Sequence, residues 1–265
     1  MMPEKPLSGK TVLFTRAREQ ALPFAEQAEQ MGAETAVIPL LAFSPSGNAA
    51  EIQKVLEELP DYKWIVFTSA NGVKYFFSHF KKSDSIPHHV KVAAVGMKTA
   101  KKLQEYSVRT DLLPEEYTAE GLSESMIKEL RSGEKVLIIR GSRSREVLTA
   151  ELKAKGFSVT ECMVYNTIVK KEAKLELFET ISRKPFDYIT LASPSAVDGF
   201  MNAVKENSQE EQCKNTHFVC IGPITAEALK EYGLNALVPE RYTMEDMLEK
   251  MAEHASLTEE EQTWN

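Results

Sequence analysis

The sequence predicts an α/β protein with two doubly wound parallel-sheet domains that arose from an internal duplication. Short apolar runs typical of buried strands alternate along the chain with amphipathic segments typical of helices. One strand-to-helix segment also occurs twice, because Trp64–Phe76 reappears as Tyr188–Phe200, 124 residues later. Strands and helices that alternate at this length form parallel sheets covered by helices on both faces.

Two further segments repeat in the same order. VLFTR at 12–16 matches VLIIR at 136–140, and VAAVGMKTAKKLQEY at 92–106 matches FVCIGPITAEALKEY at 218–232. The copies lie 124 and 126 residues apart. A constant order at nearly constant spacing indicates that a β-α series was duplicated.

The strands and helices follow one another in a regular order. The predicted strands are Thr11–Thr15, Trp64–Thr68, Lys91–Val95, Arg109–Leu113 and Val136–Ile139, with second-copy strands at Tyr188 and Phe218. The predicted helices are Gln20–Met31, Ile52–Leu59, Asn71–Phe80, Gly96–Glu105, Gly121–Leu130 and Glu146–Lys155. Ala36–Phe43 and Cys162–Val169 are extended, and Pro39 favours an edge strand or a free ribbon over a central strand.

The stretch Asp187–Phe200 illustrates how each strand passes into its helix. An apolar strand ends at Leu191, Ser193 is a favourable N-cap residue, and Pro194 suits the first helical turn. A helix that begins this close to a strand end presents its unpaired N–H groups at the edge of the sheet, where they can bind an anion.

Composition limits the class of protein. Apolar residues make up 43% of the chain and charged residues 27%, and the net charge of -7 argues against a nucleic-acid partner. Apolar runs stay shorter than the ~20 residues of a membrane helix, and MMPEKPLSGK lacks a secretory signal, so we expect a cytoplasmic protein without a membrane partner. The cysteines lack metal-ligand spacing and are expected to be buried packing residues: Cys162, Cys213 and Cys220.

Six strand-to-helix corners should carry the ligand site, because ligands of such sheets bind beyond the carboxyl ends of the strands. The corners contain serine, threonine, glycine and basic residues but no aspartate or glutamate, in a chain with 39 acidic residues. This composition fits a cleft for a polyanionic ligand, although serine, threonine and glycine also serve as simple helix caps. The corners are 15–18, 68–71, 96–99, 140–143, 192–195 and 222–225.

Several common catalytic motifs are missing. The sequence contains no GxGxxG, no GxxxxGK[ST], no HExxH and no GxSxG. A protein with anion-binding corners and none of these motifs either only binds its ligand or catalyses by holding a reactive ligand in one shape.

Four motifs together resemble the uroporphyrinogen-III synthase family of the tetrapyrrole pathway, over about residues 10–255. They are VFTSANGV at 66–73, SPSAV at 193–197, IGPITAEAL at 221–229, and the pairing of VIPLLAF at 37–43 with VYNTI at 164–168. The resemblance implies two α/β domains, formed by 1–36 with 171–265 and by 46–162. A two-stranded antiparallel ribbon of 37–45 and 163–170 would join these domains. The duplication alone would instead suggest two continuous domains with a boundary near residue 130.

The resemblance also implies a reaction. The family cyclises hydroxymethylbilane, a linear tetrapyrrole with eight carboxylates, to uroporphyrinogen III, as a cyclising hydro-lyase of heme biosynthesis. Water leaves the hydroxymethyl group, and the resulting azafulvene is attacked by ring D to give a spiro intermediate, which recloses with ring D inverted. No cofactor and no metal are implied. Closure of a cleft between the two lobes would exclude water from the cation.

The resemblance and the corner chemistry together give candidate site residues. Tyr165 matches the tyrosine proposed to help the hydroxyl group leave, although a ribbon tyrosine can also serve only in packing. The candidates for binding the substrate carboxylates are Ser69, Ala70, Gly96, Lys98, Ser193, Ser195, Gly222, Thr225, Arg16 and Arg140, with Arg143 and Arg145 as weaker ones. The alternative for Arg16 and Arg140 is that they form interdomain or surface ion pairs.

Two other classes of protein share parts of this pattern. A non-catalytic two-lobed binding protein for an organic polyanion would have the same corners without turnover. A regulatory α/β protein would use the repeat to dock a partner through an exposed apolar helix face. We expect a monomer whose ligand is the small molecule hydroxymethylbilane, and transient contact with neighbouring pathway enzymes stays open.

Overall fold

A computed structural model of the chain describes residues 5–81, 84–144 and 146–263. It divides into two compact units. Unit 1 contains the residues up to Ala42 and those from Ile168 onwards, and unit 2 contains Phe43–Thr167. Each unit therefore has its own core.

Strands and helices alternate in both units, as the hydrophobic pattern predicts. The strands are β1 (Thr11–Phe14), β2 (Glu34–Val37), β3 (Leu41–Pro45), β4 (Trp64–Phe67), β5 (Lys91–Ala94), β6 (Lys135–Gly141), β7 (Ser158–Val169), β8 (Tyr188–Leu191), β9 (His217–Cys220) and β10 (Ala236–Leu237). The helices are α1 (Arg18–Gln30), α2 (Ala49–Glu57), α3 (Ala70–Phe77), α4 (Met97–Glu105), α5 (Ala119–Glu129), α6 (Val147–Ala154), α7 (Lys171–Arg183), α8 (Pro194–Glu206), α9 (Pro223–Lys230) and α10 (Met244–Thr263).

The sheet of unit 1 has the order β10-β9-β8-β1-β2, and its neighbouring strands are parallel. Strands from the two ends of the sequence pair here, with Val12 opposite Tyr188. Alternate side chains enter opposite faces. Leu13 and Ile189 pack with apolar residues of α7, α8 and α9, while Val12 and Phe14 pack with those of α1 and α10. Helices therefore cover both faces of this sheet.

The sheet of unit 2 has the order β3-β7-β6-β4-β5. The pairs β7–β6, β6–β4 and β4–β5 are parallel. Ile65 and Phe67 face α2, α3 and α4, whereas Trp64 and Val66 face α5 and α6. The α/β fold with mainly parallel sheets, which the sequence predicts, is present in both units.

Two residues separate each strand from the helix that follows it at the corners that match between the copies. Phe67 ends β4 and Ala70 begins α3, just as Leu191 ends β8 and Pro194 begins α8. Ser69 and Ser193 have extended backbone conformations and cap these helices with their side chains. The unpaired N–H groups of each first turn are therefore held at the carboxyl edge of the sheet.

Two local features differ from the sequence prediction, whereas the placement of Pro39 outside a central strand agrees with it. Arg109–Leu113 is not a full strand: an isolated bridge between Leu112 and Ala93 joins it to β5. Pro39 lies in the short gap between β2 and β3, where its missing N–H leaves no ladder position empty. Strand β6 continues through Gly141, because it pairs with β7 as far as Tyr165.

The cysteines are free thiols with buried side chains, as the sequence predicts. Burial raises the pKa of Cys162 and of Cys220 to about 12 and that of Cys213 to about 11. All three are therefore protonated at neutral pH and weak nucleophiles. No helix in the described part of the chain is long and apolar enough to cross a membrane.

Candidate functional site

The carboxyl edge of the unit 2 sheet places Tyr165 beside Ser69. The hydroxyl oxygens of these two residues lie 3.1 Å apart. Ser69 Oγ also accepts a hydrogen bond from the backbone N–H of Gly72 at 2.9 Å, which is its capping contact with α3. Tyr165 comes from β7, 96 residues away in sequence, so the sheet brings the predicted catalytic residue to one of the predicted corners.

A β-bulge determines which way Tyr165 points. Arg140 of β6 pairs with Met163, but the next residue, Gly141, pairs with Tyr165, so one residue of β7 is skipped. Because side chains alternate along a strand, this shift puts Tyr165 on the face that already carries Cys162 and Val164. Without the bulge the phenol ring would enter the opposite face, away from Ser69.

The ring of Tyr165 lies in a close-fitting slot. Tyr75 stacks on it with ring centroids 5.5 Å apart, and Phe43 meets it edge-on at the same distance. Tyr75 also donates from its hydroxyl to the carbonyl of Phe43 at 2.8 Å. Below the ring, Gly141 has no side chain, and a Cβ there would lie 2.3 Å from Tyr165 Cζ. Tyr165 is 7% exposed, so its position is fixed by packing.

Two opposing effects act on the Tyr165 phenol. Burial raises the pKa of Tyr165, because the phenolate is poorly solvated there, and the hydrogen bond with Ser69 lowers it. The raising effect is the larger of the two. Tyr165 is therefore protonated at neutral pH and can donate a hydrogen bond or a proton.

A second corner of unit 2 lies at the start of α4. Gly96 is the N-cap residue, and the ring of Tyr117 covers it, because a Cβ on Gly96 would lie 3.3 Å from the ring carbon Cγ of Tyr117. Lys98 is exposed and faces solvent, while Thr99 is buried and donates from its N–H to the Gly96 carbonyl. Lys98 is the basic residue of this corner, and its exposed side chain can move toward an anion.

The corners of unit 1 repeat this arrangement. Ser193 caps α8 by accepting from Ala196 N–H at 3.2 Å, and Ser195 is half-buried in the first turn of the helix. Gly222 is the N-cap of α9 and is covered by the ring of Tyr242. Thr225 is only 3% exposed, and its N–H donates to the Gly222 carbonyl. Thr225 is therefore placed for packing and capping at this corner.

The two predicted arginines have different surroundings. Arg16 is half-buried after β1, its Nε donates to Gln20 at 3.2 Å, and no carboxylate among the described residues pairs with it. Burial lowers the pKa of Arg16, which still stays charged. Arg140 instead has its Nε 3.3 Å from a carboxylate oxygen of Glu161. The corner at 140–143 has no acidic residue of its own in the sequence. In the fold, however, β7 brings the Glu161 carboxylate next to Arg140.

Sequence reasoning missed the residues that hold Tyr165. Tyr75 and Phe43 reach the Tyr165 ring only because β3, β7 and α3 pack around one edge of the sheet. Glu161, which the sequence reasoning also missed, reaches Arg140 through the pairing of β6 and β7. No local pattern links these positions. Gly141 belongs to a predicted corner, and a glycine there is the one sequence feature that could have indicated room for a large side chain.

The sequence also gave two weaker arginine candidates. Arg143 is exposed, and Arg145 lies outside the described residues. The described residues contain no group of histidine, cysteine and acidic side chains that could hold a metal ion.

The fold and these corners define an α/β protein whose sheet edges present N–H and hydroxyl donors suited to an anionic ligand. The family model "Uroporphyrinogen-III synthase HemD" matches residues 23–249. The chain therefore belongs to the uroporphyrinogen-III synthase family, as the motifs predict.

Individual relatives agree with this assignment. A putative uroporphyrinogen-III synthase of Methanocaldococcus jannaschii is 32% identical over 90% of this chain and 96% of its own length. The porphyrin biosynthesis protein HemD of Ruminiclostridium josui is 30% identical over 94% of this chain, which spans only 49% of that longer protein. A crystal structure of a mutant uroporphyrinogen III synthase from Thermus thermophilus has the same fold, with a TM-score of 0.67 at 20% identity, covering 94% of this chain and 100% of that one.

The slot under Tyr165 gives a prediction about Gly141. We expect Gly141→Ala to force the Tyr165 ring out of its place and to lower the free energy of unfolding by about 1–3 kcal/mol, the usual cost of overpacking. Urea denaturation measures this change. Gly222→Ala is the matched control, since the new Cβ there meets the exposed ring of Tyr242 at 3.3 Å, and that ring can move. Equal losses for the two variants would show that Tyr165 is not held by this contact.

Proposed function

We propose that this chain cyclises hydroxymethylbilane to uroporphyrinogen III, with loss of water and inversion of ring D through a spiro intermediate. Membership of the uroporphyrinogen-III synthase family supports the reaction. The observation that links the reaction to particular residues is the contact between the Tyr165 and Ser69 hydroxyls at the start of α3. That pairing puts a protonated phenol next to unpaired backbone N–H groups.

The reaction needs two things from a protein. The hydroxyl group must leave as water, which a proton donor accelerates. The two ends of the linear tetrapyrrole must then meet through ring D in the inverted orientation, while the uncatalysed chain closes to the type I isomer. Holding a flexible substrate in one reactive geometry can contribute a large part of the rate.

Tyr165 is the residue proposed to assist the leaving hydroxyl group. Its ring is fixed by Tyr75, Phe43 and Gly141, so its hydroxyl occupies one position. The phenol is protonated at neutral pH because burial raises its pKa. A phenol is a weak acid, so we expect its contribution to be moderate.

The substrate carboxylates are proposed to bind at the helix N-termini of the corners. At α3 the donors are the N–H groups of Ala70 and Asn71, which have no partner within the helix. Ser193 and Ser195 at α8, Gly96 and Lys98 at α4, and Gly222 at α9 provide the corresponding positions. Thr225 of α9 is left out, because it is buried and its N–H donates to the Gly222 carbonyl. A carboxylate at such a site interacts favourably with the helix dipole.

Arg16 is the arginine proposed to contact a carboxylate of the substrate. It is half-buried and has no carboxylate partner among the side chains that the structure describes, so a ligand would supply the opposite charge. Arg140 is proposed as a weaker contact, because Glu161 already lies beside its guanidinium.

The domain organisation is proposed to follow the family. Residues 1–36 with 171–265 and residues 46–162 would form the two duplicated domains, and 37–45 with 163–170 the antiparallel ribbon. The hydrogen bonds of Ser46 N–H to Val164 O and of Lys170 N–H to Leu40 O support opposite strand directions in this ribbon. The cytoplasmic location and the monomeric state stay predictions.

One assay tests the proposed function. Hydroxymethylbilane is supplied to the full chain, and the products are oxidised and separated into type I and type III isomers. We expect mainly type III. Type I alone, formed at the rate without protein, would reject the enzyme and favour a protein that only binds the polyanion.

Tyr165→Phe should lower kcat for type III formation by about 10- to 100-fold, because it removes the phenolic proton and leaves the ring packing intact. The rate of type III formation and the far-ultraviolet circular dichroism of the variant measure activity and folding. Tyr106→Phe is the control, since Tyr106 stacks on Phe77 at the end of α4. A folded Tyr165→Phe protein with unchanged kcat would remove Tyr165 from the mechanism.

Arg16→Gln should raise KM and lower kcat/KM by about 10- to 100-fold, because it removes a charge-assisted hydrogen bond to a substrate carboxylate. Steady-state kinetics of type III formation measure both constants. Arg183→Gln is the control, because Arg183 is an exposed arginine in the last turn of α7. If KM of the Arg16 variant equals that of the Arg183 variant, Arg16 does not bind the substrate.

A further inference from the structure

Ser69 has more hydrogen-bond partners than a helix cap requires. Its Oγ accepts from Gly72 N–H at 2.9 Å and lies 3.1 Å from the hydroxyl oxygen of Tyr165. A serine hydroxyl has one hydrogen and two lone pairs. The capping contact occupies one lone pair, so the hydrogen remains available for Tyr165.

The equivalent serine of unit 1 shows that capping alone does not explain this contact. Ser193 caps α8 through Ala196 N–H at 3.2 Å, as Ser69 caps α3. Within the described part of the chain, no tyrosine hydroxyl bonds to Ser193. The contact between Ser69 and Tyr165 is therefore an addition to the cap, found in one of the two copies.

The direction of the hydrogen bond follows from counting hydrogens. Tyr165 has a single hydroxyl hydrogen, and in the proposed reaction it points to the leaving hydroxyl group of the substrate. Ser69 and Tyr165 can then stay bonded only if Ser69 is the donor. The donors line up in one direction, from Gly72 N–H to Ser69, from Ser69 to Tyr165, and from Tyr165 to the substrate. Each bond in such a chain strengthens the next.

We propose that Ser69 is a positioning residue that donates its hydrogen to the Tyr165 oxygen and so directs the Tyr165 proton to the leaving hydroxyl group. This inference rests on the proposed function. The hydroxyl of Ser69 then serves Tyr165, and the neighbouring N–H groups of α3 serve the substrate carboxylate.

The proton balance of the step is simple. The O–H bond of Tyr165 breaks, its proton goes to the hydroxymethyl oxygen, and the C–O bond of the substrate breaks with release of water. The electron pair of the O–H bond stays on Tyr165 as phenolate, and the positive charge stays on the azafulvenium carbon. When the closed ring loses its proton at the end of the reaction, the phenolate takes it and Tyr165 is restored.

The surroundings of Ser69 suit a developing phenolate. The positive end of the α3 dipole and the Gly72 N–H point at Ser69, which passes the polarisation to the Tyr165 oxygen. Burial by itself raises the pKa of Tyr165, and the Ser69 hydrogen bond opposes that effect. Removing the Ser69 hydroxyl should therefore raise the pKa of Tyr165 further.

The experiment combines a spectroscopic and a kinetic readout on the full chain. Tyrosine is labelled with ¹³C at Cζ, the Tyr165 signal is assigned by its loss in Tyr165→Phe, and its titration is followed by NMR. Ser69→Ala should move the titration midpoint to higher pH and lower kcat about 10- to 100-fold with little change in KM. Ser69→Thr, which keeps both hydroxyl and cap, should restore the midpoint and kcat.

Two further variants control for the loss of the cap. Thr118→Ala removes the side-chain cap of α5 in the same unit, where Thr118 accepts from Gly121 N–H, and should leave the Tyr165 signal and kcat unchanged. If Ser69→Ala does not fold, Ser69→Gly replaces it, because glycine is a tolerated N-cap residue.

The outcomes separate this inference from the proposed function. An unmoved Tyr165 midpoint, or an unchanged kcat, in the Ser69→Ala or Ser69→Gly protein overturns the role of Ser69 even if the wild-type chain makes type III product. If the wild-type chain makes only type I product, the proposed function fails, and the role of Ser69 in that step fails with it. The NMR titration then still decides whether Ser69 donates to Tyr165.

Discussion

The short connection between each strand and the helix that follows it is the constraint on which the site depends. Two residues separate Phe67 from Ala70, and two separate Leu191 from Pro194. The strands are fixed by burial on both faces, so a connection this short fixes the first helical turn as well. The N–H groups of that turn thus have a defined position at the carboxyl edge, which a flexible loop would not give them.

The Tyr165 slot adds the proposed proton donor to this edge. A β-bulge turns the side chain toward α3, Gly141 leaves room for its ring, and Tyr75 and Phe43 pack against it. The position of the Tyr165 ring depends on the pairing of β6 and β7, and a one-residue change in that pairing would turn the ring to the other face. Ser69 then connects the phenol to the start of the helix. The same few residues fix both the N–H groups proposed to bind the ligand and the proposed proton donor.

Much of this could be predicted from the sequence, and the reason is that the signals are local. The pattern of strand, serine cap and helix identified Ser69 and Ser193 directly, and the repeat identified the series of β-α units. The bulge and the approach of Glu161 to Arg140 depend on contacts between distant strands, so no local signal predicts them. The repeat likewise does not say that β1 joins β8 in one sheet.

The most direct test of the account is to map where an octacarboxylate product touches the backbone. The amide ¹H–¹⁵N spectrum of the full chain is recorded while uroporphyrinogen III is added. If the helix N-termini bind the carboxylates, the largest shifts occur at N–H groups of the first helical turns, at Ala70, Asn71, Ser195 and Ile224, together with Ser69. Shifts confined to the opposite edge of the sheets, or no saturable shifts at all, would contradict it.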